Sequence, residues 1–141
     1  MNFKERQRRG LVAKGCLSHS LTEAEKQKVR SWVDDSLAKF KEGTAGANDW
    51  YNLLFRIQVG LELARAFYED TTIAGMVAAK EACLVVMRRF NTDTVWRATP
   101  GELDEIESGL DAVNTMTGEN IRRELLHAHY EAREALKKYV A

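Results

Sequence analysis

A glutamate and a histidine in the last third of the chain have a spacing that metal-binding helices use. Glu124 and His127 are three residues apart, so a helix places the carboxylate and the imidazole on one face. Di-iron bundles combine two such pairs with two further glutamates, whereas this sequence has one pair. His129 would point about 200° away from His127 around the helix. We therefore interpret these residues as a solvated helix face and expect no metal and no other cofactor.

The two cysteines are the other candidates for chemistry. Cys16 lies three residues before His19, which is compatible with a thiol activated by a base. Cys83 falls in an apolar stripe, where cysteine ordinarily behaves as an inert, small hydrophobic residue. The sequence also lacks a glycine-rich phosphate loop and a Ser-His-Asp pattern. We expect no catalytic residue and a protein that is not an enzyme.

The elements that carry these residues follow helical periodicity. The chain has one proline in 141 residues and no hairpin dipeptides between alternating apolar runs, which argues against a β-rich fold. Two helix starts have capping-box spacing, Thr22 with Glu25 and Thr99 with Glu102. The pattern predicts one all-α domain, an antiparallel bundle of about five helices, with a basic arm or short helix before residue 20. The predicted helices cover 22–42, 48–70, 72–90 and 100–139.

Two of these segments, 48–70 and 72–90, are apolar over more than one face, which is typical of helices in the middle of a bundle. We predict that they form a buried antiparallel hairpin. The segment 100–139 is either one long helix or two. Gly118 costs about 1 kcal/mol in a helix interior and Thr117 is a competent cap, so we favour a break near these two residues.

A continuous helix over 100–139 would extend beyond the core. Its C-terminal half carries an apolar stripe that would then need a partner, and a second copy of the chain is the simplest one. The stripe therefore predicts a homodimer contact formed by Leu125, Ala128, Ala132 and Leu136.

The formal charge is zero, but the charges are distributed unevenly. Basic residues concentrate near the start of the chain, where they predict a contact with nucleic acid or with a protein partner: Lys4, Arg6, Arg8 and Arg9. Acidic residues concentrate at the start of the predicted helix 100–139. Some of them complement the helix dipole, but the group exceeds what capping needs and predicts a patch for a basic partner: Glu102, Asp104, Glu105, Glu107 and Asp111.

Four arginines lie on the two predicted central helices, at positions 56, 65, 88 and 89. One hypothesis is that they form a charged groove. The alternative is that they sit at the bundle's edges and pair with acids on neighbouring helices. We favour the second, because long side chains at helix edges cover apolar surface while the charge stays in water.

The expected compartment is the cytoplasm. Two isolated cysteines suggest a reducing environment. The first residues are charged where a signal peptide needs an apolar run, and no stretch approaches the roughly 20 apolar residues of a membrane span. We therefore expect no membrane partner.

Part of the sequence resembles small uncharacterised helical proteins that prophages and plasmids of Gram-negative bacteria encode. The likeness covers roughly 43–116 and includes Gly43-Thr44-Ala45 and the run Trp96-Arg97-Ala98-Thr99-Pro100-Gly101-Glu102-Leu103. The resemblance implies an accessory gene of a mobile element, and such genes frequently encode small proteins that bind and inhibit or modulate a host factor. Our leading hypothesis is a non-enzymatic protein–protein interaction protein. The alternative is a nucleic-acid-binding accessory or regulatory protein that uses the basic N-terminal arm.

Overall fold

The computed structural model describes residues 22–139, and these residues contain helices and no strand. The helices are α1 (Glu23–Glu42), α2 (Ala47–Phe67), α3 (Asp70–Asp93), α4 (Pro100–Glu119) and α5 (Arg122–Ala135), followed by a short 3₁₀ turn, Lys137–Tyr139. The predicted all-α bundle of about five helices is confirmed. The basic residues Lys4, Arg6, Arg8 and Arg9 and the pair Cys16 and His19 lie outside the described residues.

Both predicted capping boxes form and begin the helices where the sequence indicated. At α1, the backbone N–H of Glu25 donates to Thr22 Oγ1 at 3.1 Å, and the N–H of Thr22 donates to Glu25 Oε1 at 2.9 Å. Thr99 and Glu102 make the same reciprocal pair at α4, with distances of 3.2 and 2.9 Å. Each box satisfies N–H groups that a helix start leaves without an intrahelical acceptor.

Helix α2 occupies the centre of the bundle and packs against α1, α3, α4 and α5. Its buried side chains therefore extend around most of its circumference, as predicted. Helix α3 is less enclosed than predicted. Among the described helices, it makes extensive contacts with α2 and α4 but not with α1 or α5. It buries one face, whereas Val77 on its other side is 45% exposed. The two helices do pack on each other, as the predicted hairpin requires, but only α2 is buried around most of its circumference.

A glycine allows α4 to approach α3 closely. A Cβ atom built on Gly109 of α4 would lie 2.4 Å from the Cβ of Ala79 on α3. Real side-chain carbons do not approach this closely, so the spacing of the two helices depends on the missing side chain.

The predicted break in the segment 100–139 is present but lies further along the chain. Gly118 stays within α4. The helix ends at Glu119, and the next residue, Asn120, has an extended backbone. The buried Asn120 side chain donates to the carbonyl oxygen of Met116 at 2.7 Å and so satisfies an orphan acceptor at the helix end. The N–H of Ile121 then donates to Glu124 Oε1 at 3.2 Å as α5 begins.

This break changes the interpretation of the predicted dimer residues. Helix α5 turns back onto α2 instead of extending beyond the core. The four residues are buried in the core of their own chain: Leu125, Ala128, Ala132 and Leu136. The prediction that they contact a second copy is therefore wrong, because it rested on an uninterrupted helix and a stripe without a partner.

Candidate functional site: the groove between α1 and α5

The main candidate site is a groove with α2 as its floor. Helices α1 and α5 both pack on α2 but make few contacts with each other. Two adjoining cavities of about 370 and 180 Å³ fill the space between them. Both cavities are lined by Val29 of α1, Arg56 of α2 and His129 of α5. We refer to this continuous space as the α1–α5 groove.

Arg56 lies at the floor of the groove, where its side chain is 5% exposed. Its Nη2 donates to Thr117 Oγ1 at 2.8 Å and to Asn114 Oδ1 at 3.3 Å. The Thr117 hydroxyl donates in turn to the carbonyl oxygen of Val113 at 2.8 Å. Among residues 22–139, no carboxylate forms an ion pair with Arg56, and its buried Nε has no acceptor.

A buried guanidinium without a counter-ion is unusual, because removing a charge from water costs several kcal/mol unless a partner offsets it. Burial lowers the pKa of Arg56 to about 10, and the positive charge of Arg30 acts in the same direction. Arg56 nevertheless remains protonated at neutral pH. The groove floor therefore holds a positive charge that no carboxylate within residues 22–139 neutralises.

Aromatic and aliphatic side chains line the groove. Tyr51 and Phe55 of α2 lie with their ring centroids 6.0 Å apart, and the Phe55 ring lies 5.8 Å from that of His129. At the two edges, Trp32 of α1 is 57% exposed and Leu126 of α5 is 58% exposed. Trp32 and Leu126 therefore add exposed apolar surface on either side of the concave lining.

The charge on the groove lining is predominantly positive. Four cationic side chains line the two cavities, Lys26, Arg56, Arg122 and Arg133, against one carboxylate, that of Glu25. His129 donates from Nδ1 to the carbonyl oxygen of Leu125 at 2.6 Å. Burial lowers the pKa of its imidazole, and the charges of Arg56 and Arg133 also favour the neutral ring.

An ion pair joins α1 to α5 at one end of the groove. Arg122 donates from both terminal nitrogens to the two carboxylate oxygens of Glu25, at 2.8 and 2.5 Å. The hydrogen bonds from Arg122, followed by the backbone N–H of Thr22, lower the pKa of Glu25 to about 2. The single acidic group of the groove lining is thus already paired, and the surplus of positive charge remains.

We expect the Glu25–Arg122 pair to make stability depend on pH in one window. Because the folded-state pKa of Glu25 lies below its ordinary value of 4.5, its stabilising contribution is present above that value and is lost as the pH falls toward 2. The free energies of unfolding of wild type and Glu25→Gln, measured with urea, should therefore differ at pH 6 and converge as the pH falls from 4.5 toward 2. Glu105→Gln controls for the loss of one negative charge. A difference that stays constant down to pH 2 would contradict the pairing.

The structure separates the members of the predicted acidic patch. Arg89 of α3 donates to both carboxylate oxygens of Glu102, at 2.8 and 2.6 Å, and Glu107 pairs with Lys41 of α1. Three members remain exposed and form no ion pair with other described residues: Asp104, Glu105 and Asp111. The surface offered to a basic partner is correspondingly smaller than the sequence suggested.

The structure places the described candidates for chemistry, Cys83, Glu124 and His127, in different surroundings. Cys83 is buried in the core, and burial raises its pKa to about 12. Glu124 is buried and caps α5, whereas His127 is exposed and lies 3.8 Å from Glu131. Within residues 22–139, no three His, Cys, Asp or Glu side chains are grouped so that they could hold a metal ion.

Three of the four arginines form ion pairs, but only the pair of Arg89 joins two helices as predicted, and the other two pairs lie within one helix. Arg65 lies 3.9 Å from Glu62, Arg88 pairs with Glu81, and Arg89 pairs with Glu102. Arg56 is the exception, and it lies in a groove as the less favoured hypothesis supposed. Arg56 lies one helical turn from Asn52 and from Gly60, and these neighbours give no sequence signal that separates it from Arg65.

Comparisons with known proteins returned no match among protein-family models, curated proteins or solved structures. No helix within residues 22–139 has the length and apolar character needed to span a bilayer. Residues 22–139 thus form an all-helical bundle with a partly apolar groove whose lining carries more cationic than anionic side chains.

Proposed function

We propose that the protein is a non-enzymatic interaction protein that binds a segment of a partner polypeptide in the α1–α5 groove. The observation that carries this proposal is the combination of exposed Trp32 and Leu126 at the edges with Arg56 uncompensated at the floor. Binding sites typically combine a mostly apolar lining with a few placed polar groups. Consistent with the resemblance to mobile-element proteins, we propose that the partner is a host protein in the bacterial cytoplasm, which the binding inhibits or modulates.

The chemistry of the groove specifies what the bound segment should contain. Large aromatic and aliphatic side chains are the usual anchors of protein interfaces, and Trp32 and Leu126 offer them apolar contact area. The surplus of cationic side chains in the lining favours a net acidic segment and disfavours a basic one. The groove between two helices also provides the concave shape that peptide segments occupy.

A library of random dodecamer peptides displayed on phage tests this proposal directly. Panning against the full-length wild-type chain should enrich acidic peptides that contain an aromatic or large aliphatic residue. Synthetic copies should bind the double variant Trp32→Ala/Leu126→Ala at least tenfold more weakly, because loss of one such anchor typically costs more than 1 kcal/mol. Val77→Ala/Val95→Ala removes exposed apolar side chains outside the groove and should leave the affinity unchanged.

Two results would overturn the proposal. The first is that no peptide is enriched, or that enriched peptides bind both double variants equally. The second is that a single-stranded oligonucleotide occupies the groove and displaces the peptides, as judged by chemical-shift changes at the Trp32 indole. That outcome would assign the cationic and aromatic lining to nucleic acid.

A further inference from the structure

We propose that Arg56 is the carboxylate-binding residue of the α1–α5 groove and receives an aspartate or glutamate side chain of the bound segment. This inference rests on the proposed function for the nature of the partner. The site itself stands on the geometry of the groove floor, where a guanidinium that is 5% exposed borders both cavities.

The arrangement around Arg56 orients the guanidinium and leaves hydrogen-bonding capacity on it unused. Its Nη2 is held by Thr117 and Asn114 of α4, whereas Nε and Nη1 donate to no acceptor among residues 22–139. Thr117 is itself fixed by the bond from its hydroxyl to Val113 O. A guanidinium held by one nitrogen is preorganised, so an incoming acceptor does not have to order the side chain.

A carboxylate fits this position better than a phosphate group. Arginine forms parallel, charge-assisted hydrogen bonds with a carboxylate, and these are stronger than neutral ones. The surroundings include the apolar side chains of Val29, Phe55 and Leu125, with one neutral imidazole at His129. A phosphate carries more charge and more acceptor oxygens. Of the other cations in the lining, Lys26 is paired with Glu23 and Arg122 with Glu25, and Arg133 is exposed, so the desolvation of a phosphate would be offset less completely.

The neighbouring rings determine what should accompany the carboxylate. Phe55 and Tyr51 form an aromatic surface on α2 next to Arg56, and Trp32 stands at the edge of the same cavity. A carboxylate joined to an apolar group by a short chain can contact Arg56 and these rings together. An acidic residue next to an aromatic one in a peptide has this composition.

Two small probes test the site without requiring the partner. We choose 3-phenylpropionate and its neutral analogue 3-phenylpropanamide, titrated into the full-length chain labelled with ¹⁵N. The propionate should shift the signals of Arg56 Nε–H and of the Trp32 indole and should bind about tenfold more tightly than the amide, because a charge-assisted bond is replaced by a neutral one. Arg56→Met should abolish this preference, whereas Arg123→Met, which alters α5 outside the groove, should retain it.

The outcomes distinguish this inference from the proposed function. Equal binding of the acid and the amide to wild type, or no saturable shift at Arg56, overturns the carboxylate site. A preference for the acid that persists in Arg56→Met also overturns it. If selected peptides bind the groove but tolerate replacement of their Asp and Glu by Asn and Gln, the proposed function stands and the carboxylate site fails. If Arg56→Met does not fold, the comparison of the two probes on wild type still decides.

Discussion

Replacing Gly109 by alanine is expected to lower the free energy of unfolding by about 2–3 kcal/mol. The added Cβ would lie 2.4 Å from the Cβ of Ala79. Both atoms are attached directly to the backbone, so no rotation of a side chain can relieve the overlap. Helices α3 and α4 would have to separate, and side chains buried between them would lose contact. Urea unfolding followed by circular dichroism measures the change.

Gly75→Ala is the matched control for this prediction. Gly75 lies within α3, and a Cβ placed there meets nothing within 4 Å. Alanine should therefore stabilise the protein by about 0.5–1 kcal/mol, because glycine loses more backbone freedom on forming a helix. If both substitutions stabilised the protein, the close approach of α3 and α4 would be contradicted.

Replacing Val59 by alanine is expected to lower the free energy of unfolding by about 2 kcal/mol. Val59 is 0% exposed in the central helix α2, so truncation removes two buried methyl groups and leaves a cavity. The same substitution at Val77 of α3 should change the free energy of unfolding by less than about 0.5 kcal/mol, since this side chain is 45% exposed. Chemical denaturation of both variants gives the comparison.

This pair tests which helix forms the centre of the bundle. The sequence pattern predicts that both valines are buried, in two helices of one central hairpin. Similar losses at the two positions would support that hairpin and contradict the position of α3 at the side of the bundle. A loss at Val59 alone would support α2 as the single central helix.

Local signals in the sequence were sufficient for the helices and most of their starts. Thr22 with Glu25, and Thr99 with Glu102, act within four residues, so their capping bonds could be predicted without knowledge of the tertiary fold. The apolar periodicity likewise predicted the all-α class. These signals are strong because each depends on one turn of helix and on few competing conformations.

Features that depend on distant contacts were predicted less well. Asn120 ends α4 through bonds to Met116 O and to the Tyr68 hydroxyl, which is 52 residues away. Gly118 does not adopt the positive φ with which a glycine often ends a helix, and it remains helical. Val77 is exposed because no further helix of residues 22–139 packs on that side of α3, and an amphipathic pattern does not show how many helices surround an element.

The candidate site was also beyond local reasoning. Arg56 contacts Asn114 and Thr117 across 58 and 61 residues, and nothing near it in sequence distinguishes it from the arginines that form ion pairs. The sequence pattern predicts Thr117 as a helix cap, yet its hydroxyl accepts from Arg56. The groove thus combines four helices whose relative placement the sequence pattern leaves open.

The most direct test of the central claim is the stability of Arg56→Met. If Arg56 serves binding, its buried charge without a counter-ion should weaken the fold. Methionine, an apolar side chain of similar length, should then leave the free energy of unfolding unchanged or raise it by about 1–4 kcal/mol. Asn114→Ala reports separately on one of the two hydrogen bonds that Arg56 makes. A loss of more than about 2 kcal/mol in Arg56→Met would instead show that Arg56 holds α2 to α4, and would contradict its assignment to a binding site.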